Sequence, residues 1–69
     1  MKLLCSSNTL EKTEKLINDY FYSSSYKLIP INTIKGEVYE IIGKNKLENF
    51  IVKKEKGRYK FYELLNQLN

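Results

Sequence analysis

Apolar and polar positions alternate with two different periods along this chain, and the change of period falls near Gly36. Before it, "SNTLEKTEKLINDYFYSSS" carries Leu10, Leu16, Ile17, Tyr20 and Phe21 at helical spacing, with Thr13 filling the same stripe. Asn8 is placed to cap the first turn, and Glu11 stands three residues on, in a capping-box arrangement. Glu11 and Lys15 form an i,i+4 pair on the charged side. The pattern predicts a helix over about 9–22, ended by the serines at 23–25.

After Gly36 the period shortens to two. "EVYEIIG" is β-rich and stops at Gly43, with "GKNK" as a turn. "LENFIVKK" puts Phe50 and Val52 on one face. "EKGR" turns through Gly57, which accepts the positive φ of a tight hairpin, and "RYKFYE" puts Tyr59 and Phe61 on one face. The expected fold is a single small α+β domain over residues 1–69: one N-terminal amphipathic helix packed on a three-stranded antiparallel β-meander. "YKLIPINTIKG" reads as an irregular connector, because Pro30 cannot donate to a ladder and restricts any strand there to an edge or a short piece. Residues 2–5 form either a short edge strand or a tail. Phe61, Leu64, Leu65 and Leu68 are spaced as a helical stripe, so residues 63–68 are expected to add a helical turn or two.

This order of elements is similar to that of the double-stranded-RNA-binding domain and of small toxin ribonucleases built on the same plan. The motifs do not follow. The binding domain has a lysine-rich run at the start of its last helix where this chain has "ELLNQLN", and the toxins use a histidine that this chain lacks. No family is assigned.

At 69 residues the chain buries only about 60% of its unfolded surface. Its one cysteine, Cys5, closes no internal disulfide and, with no histidine present, a His/Cys zinc site is excluded. The core alone must hold the fold. A lone thiol fits a reducing, cytoplasmic setting. "MKLLCSS" offers one lysine and two leucines where an export signal has roughly 7–15 apolar residues, so export is not expected. No apolar run approaches a membrane span of about 18 residues, and a soluble protein is expected.

Several chemistries drop out. Without histidine there is no Ser–His or Cys–His nucleophile and no imidazole base. Gly36, Gly43 and Gly57 stand singly and match no nucleotide fingerprint. Glu37 with Glu40, or Glu11 with Glu14, has the spacing of an ordinary solvated surface rather than of a metal site. Cys5 has no identifiable neighbouring base to make it a nucleophile. The chain is expected to be no enzyme and to hold no cofactor or metal.

Charge is what remains. The net charge is +4, and residues 44–60 alone carry +5. Lysine, asparagine, isoleucine, tyrosine and phenylalanine make up 34 of the 69 residues, and all have A/T-rich codons, so base composition accounts for much of this bias. Lysine outnumbers arginine eleven to one, which is not the balance of bidentate base recognition.

Placement says more than count. With Phe50, Val52, Tyr59 and Phe61 turned to the helix, alternation sends Ile51, Lys53, Arg58, Lys60 and Tyr62 to the opposite face. Lys44, Lys46, Lys54 and Lys56 would ring that face from the turns. Exposed lysines also guard sheets against edge pairing, which is the bland explanation. Six tyrosines exceed what so small a core buries with ease, and Tyr22 and Tyr26, past the helix end, are further candidates for protein contact.

The leading expectation is a stoichiometric binder of a protein or nucleoprotein complex, a regulator or inhibitor of the kind found among phage and mobile-element accessory factors. The alternative is a sequence-tolerant DNA- or RNA-binding module using the lysine-rich hairpin, with Tyr62 as its stacking ring. An uncovered sheet face would also admit a homodimer seam.

Overall fold

A computed structural model describes residues 1–34 and 36–65. The elements follow in the order β1 (Lys2–Ser7), α1 (Leu10–Tyr20), β2 (Lys27–Thr33), β3 (Gly36–Ile42), β4 (Phe50–Glu55) and β5 (Arg58–Glu63). They build one antiparallel five-stranded sheet in the order β1-β5-β4-β3-β2, with α1 on one face. The helix links the two outermost strands and so crosses the sheet from edge to edge.

The three-stranded meander is therefore corrected to five strands. Residues 36–63 do form a meander, but each of its edges gains a partner from the N-terminal half. β1 lies along β5, with Lys2 opposite Glu63, Cys5 opposite Phe61 and Ser7 opposite Tyr59; a bulge at Leu4 shifts the register. β2 lies along β3 through seven residue pairs, from Lys27–Ile42 to Thr33–Gly36. The segment expected to be a connector is thus a strand.

Pro30 is tolerated because of where its nitrogen points. The Leu28 N–H is bonded to the Glu14 carboxylate on α1 (3.0 Å), away from β3. A strand's period of two puts the Pro30 nitrogen on the same outward edge, where no ladder bond is lost. The Tyr26 N–H, one step before, is bonded to Asn18 Oδ1 (3.0 Å). Glu14 and Asn18 are one helical turn apart, matching backbone sites two residues apart on the extended chain. Three successive outward positions on this edge are thereby bonded or donorless.

The core is one row of side chains across the sheet: Cys5, Phe61, Val52 and Tyr39 face each other in register on the helix side, and the row ends at the exposed Pro30 on the β2 edge. Ile41 and Leu28 extend it, and Ile17 of the helix seals it. Phe61, Val52 and Ile41 are fully buried. Tyr20 and Phe21, at the end of α1, pack edge-on against Phe50 and Phe61. The buried Thr13 shares a hydrogen bond with the Ser7 hydroxyl and donates to Thr9 O, so neither hydroxyl is stranded in the core.

Smaller corrections follow from capping. The N-cap is Thr9, not Asn8: its backbone is extended, and its hydroxyl accepts from the Lys12 N–H at 3.1 Å. The helix stops at Tyr20, before the serines, in a Schellman-type close: the Ser23 N–H reaches Asn18 O and the Tyr22 N–H reaches Asp19 O. Leu47–Asn49, expected to open a strand, belong to the β3–β4 connection; the Leu47 N–H bonds back to Ile41 O. In the last hairpin Lys56 (φ 52°) and Gly57 (φ 77°) both take positive φ, as a two-residue type I′ turn requires. Of the C-terminal helical turn, Glu63 lies in β5 and Leu64–Leu65 are irregular; residues 66–68 lie outside the described residues.

No helix among the described residues is long and apolar enough to cross a membrane. Cys5 packs beside the core opposite Phe61, and burial pushes its thiol pKa up, away from the thiolate.

Candidate partner-binding face

The face opposite α1 is covered by no described element. Its first row runs Ser6, Lys60, Lys53, Val38 and Ile31 across all five strands, each residue opposite the next. The second row holds Leu3, Tyr62 and Ile51 on β1, β5 and β4, and Glu40 and Ile29 on β3 and β2. Leu3 and Ile29, at opposite ends of that row, keep 50% and 43% of their surface exposed. The surface thus carries Lys53 and Lys60 over β4–β5 and Val38, Ile31 and Ile29 over β2–β3, with Glu40 and Lys27 among the latter.

Lys53 and Lys60 stand directly opposite each other. Like charges in that position are destabilising. Their neighbours soften the repulsion. Lys60 pairs with Glu55 at 3.6 Å, and Lys53 lies 6.0 Å from the centre of the Tyr62 ring. The Tyr62 hydroxyl donates to Glu55 at 2.8 Å. That hydrogen bond, helped by Lys60 and Lys53, holds the Glu55 carboxyl below its ordinary range, and the same bond raises the Tyr62 phenol. Arg58 Nε donates to Ser6 Oγ at 2.8 Å, tying β5 to β1 on this face.

The remaining sequence candidates scatter. Lys54 lies on the helix-side face, opposite Tyr59; its ammonium sits 5.4 Å from that ring and 3.7 Å from Glu37. It therefore does not ring the open face. Glu37 in turn accepts from the Tyr39 hydroxyl (2.7 Å), which together with burial pushes the Tyr39 phenol well above its ordinary value. Lys46, in the β3–β4 connection, pairs closely with Glu40, a contact that raises its pKa. Lys44 and Lys56 are exposed in turns. Tyr26 packs against Phe21 and the Gly43 backbone, whereas Tyr22 is 96% exposed at the helix end.

The open-face row does bring Lys53, Lys60 and Tyr62 together with Arg58 near its β1 end. Sequence reasoning missed Ile29 and Ile31 because "YKLIPINTIKG" reads as a connector, Leu3 because residues 2–5 read as either a strand or a tail, and Val38 because the reading assigns no face to its strand. The signal was present in "KLIPINT", whose odd positions Lys27, Ile29 and Ile31 share one face once it is read as extended. Two carboxylates also stand among the cations here: Glu55 at the hairpin end beside Lys60, and Glu40 on β3 beside Lys46.

Among the described residues no group of three or more acidic, cysteine or histidine side chains could hold a metal ion. No protein-family model matches the chain, no curated protein matches it, and no solved structure does.

Proposed function

We propose that this chain is a non-catalytic binding protein that docks the open face of its sheet, stoichiometrically, onto an acidic protein surface, and so regulates or inhibits a larger protein or nucleoprotein complex. The observation that supports this most is the Lys53–Lys60 pair. Two ammonium groups opposite each other weaken a sheet, yet an anionic partner placed over both would turn that repulsion into attraction.

The composition of the face favours protein over nucleic acid. Glu55 and Glu40 pair with Lys60 and Lys46, so the face is a mosaic of both signs rather than the continuous basic track that follows a phosphate backbone. Ile29, Ile31, Val38 and Ile51 suit an apolar protein contact, whereas base stacking needs rings and this face offers Tyr62.

The two targets respond differently to salt and mutation. Protein binding through this face should tolerate moderate salt and fail on Ile51→Asp. Phosphate binding should weaken steeply with salt and survive that change. Retention on mixed DNA or RNA that matches the retention of the captured protein would overturn the reading.

A further inference from the structure

The two outer edges of the sheet are treated in opposite ways. Along β2 the outward nitrogens of Tyr26 and Leu28 are bonded to Asn18 and Glu14, and the third belongs to Pro30. Along β1 no described side chain bonds to the backbone of Lys2–Ser6, and no proline interrupts it. Its one blunting device is the bulge at Leu4, which leaves Cys5–Ser7 as regular strand beyond it.

The charge beside this open edge is specific. Arg58 reaches across from β5 and spends its Nε on Ser6 Oγ, and among the described residues no carboxylate lies within ion-pair distance of its guanidinium. Ser6 is on the open face, so an added strand beside β1 would carry every second side chain onto that face, next to Arg58.

We propose that the Cys5–Ser7 edge of β1 receives an extended segment of the partner as a sixth strand, and that this segment presents a carboxylate to the guanidinium fork of Arg58. Main-chain hydrogen bonds to β1 supply affinity, and the alternate side chains supply choice. Leu3 and Tyr62, one row along the same face, receive an apolar neighbour of that carboxylate. The inference rests on the proposed docking of the open face on protein and names the part of the partner that reaches past its rim.

The test uses the full chain, isotope-labelled, titrated with two blocked eight-residue peptides of alternating valine and threonine. One has a central glutamate and the other a central lysine. The glutamate peptide is expected to slow amide exchange at alternate positions of residues 2–7, and to bind at least tenfold more tightly than the lysine peptide. Arg58→Glu should invert that order. Equal binding of the two peptides, protection confined to β2, or β1 amides unaffected by either peptide would overturn the inference. So would β1 protection that grows with protein concentration in the absence of peptide, which would make a second copy the occupant. If the peptides leave β1 untouched while Lys53→Glu/Lys60→Glu still abolishes capture of a protein partner, the edge inference fails and the face reading stands.

Discussion

The Glu14 carboxylate accepts the outward N–H of Leu28 at 3.0 Å, so a helix residue closes the edge of a strand fourteen positions later in the chain. Leu28 is buried against Ile41 and the helix, and its amide has no bond to β3. Glu14→Ala should cost about 1.5–3 kcal/mol, the range for losing a hydrogen bond to a charged group. Glu14→Gln should recover most of that, since its amide oxygen still accepts. Denaturant unfolding measures both, and hydrogen exchange at Leu28 should accelerate in the alanine variant alone. An alanine variant as stable as the parent would contradict this role.

Tyr22 occupies the position after the helix cap with φ 53°, where glycine is the usual residue. Its side chain is 96% exposed, so its removal loses almost no packing. Tyr22→Gly should therefore raise stability by about 1 kcal/mol, the cost of holding an L-residue in the left-handed region. Thermal unfolding reads the gain as a higher Tm. A destabilised glycine variant would show that the tyrosine makes a contact the fold depends on.

Two tyrosines should shape the alkaline limb of the stability profile. Tyr39 and Tyr62 each donate to a carboxylate, which raises the phenol pKa above its ordinary value of about 10. Unfolded tyrosine then ionises first as pH rises. Their contribution is full below pH ~10 and is lost above it. Tyr39→Phe should flatten that decline, as measured by denaturant midpoints between neutral and strongly alkaline pH. An unchanged slope would contradict the assignment.

Glu55 titrates with the opposite sign. Its folded pKa is lowered, chiefly by the Tyr62 hydroxyl, so its contribution is present above the ordinary carboxylate range and is lost as pH falls through the folded value. Tyr62→Phe should move the Glu55 pKa back upward, a shift that side-chain carbonyl NMR follows directly. A Glu55 titration that ignores the Tyr62→Phe change would contradict the hydrogen bond as its cause.

Legibility of this fold tracked how local its causes were. The 56–57 turn, the burial of Val52 and Phe61 and the helix stripe of Thr13 and Ile17 depend on neighbours in sequence, and each was readable. Of the outer strands, β1 was legible as one of two alternatives, an edge strand or a tail, and β2 reads as a connector. "KLIPINT" contains a proline, and it becomes a strand only because α1 delivers Glu14 and Asn18 to its far edge. Likewise "KLLCSS" is a strand because β5 has an edge to offer, a fact settled some fifty residues away.

The candidate face shows the same division. Alternation alone set Lys53, Lys60 and Tyr62 on one surface, opposite Val52 and Phe61. The partnership of Glu55 with both Lys60 and Tyr62 follows from hairpin geometry, and the apolar half of the face from the missed β2. Lys54 was misplaced because counting it among the turn residues ignored its parity; it is opposite Tyr59 on the helix side.

The Lys53–Lys60 pairing carries the functional proposal, and removing it separates binding from folding. Lys53→Gln should leave stability unchanged or raise it by up to about 1 kcal/mol, by relieving the like-charge contact. The same change should weaken partner binding at least tenfold. A loss of more than about 1 kcal/mol would show that Lys53 serves the fold instead.

Capture by the tagged chain and by its Lys53→Glu/Lys60→Glu variant, from nuclease-treated lysate of the source cells, tests the account most directly. The account predicts a discrete protein retained by the parent at moderate salt and lost from the variant, with both chains equally folded. Retention of that protein by the variant, or recovery of nucleic acid alone before nuclease treatment, would contradict it.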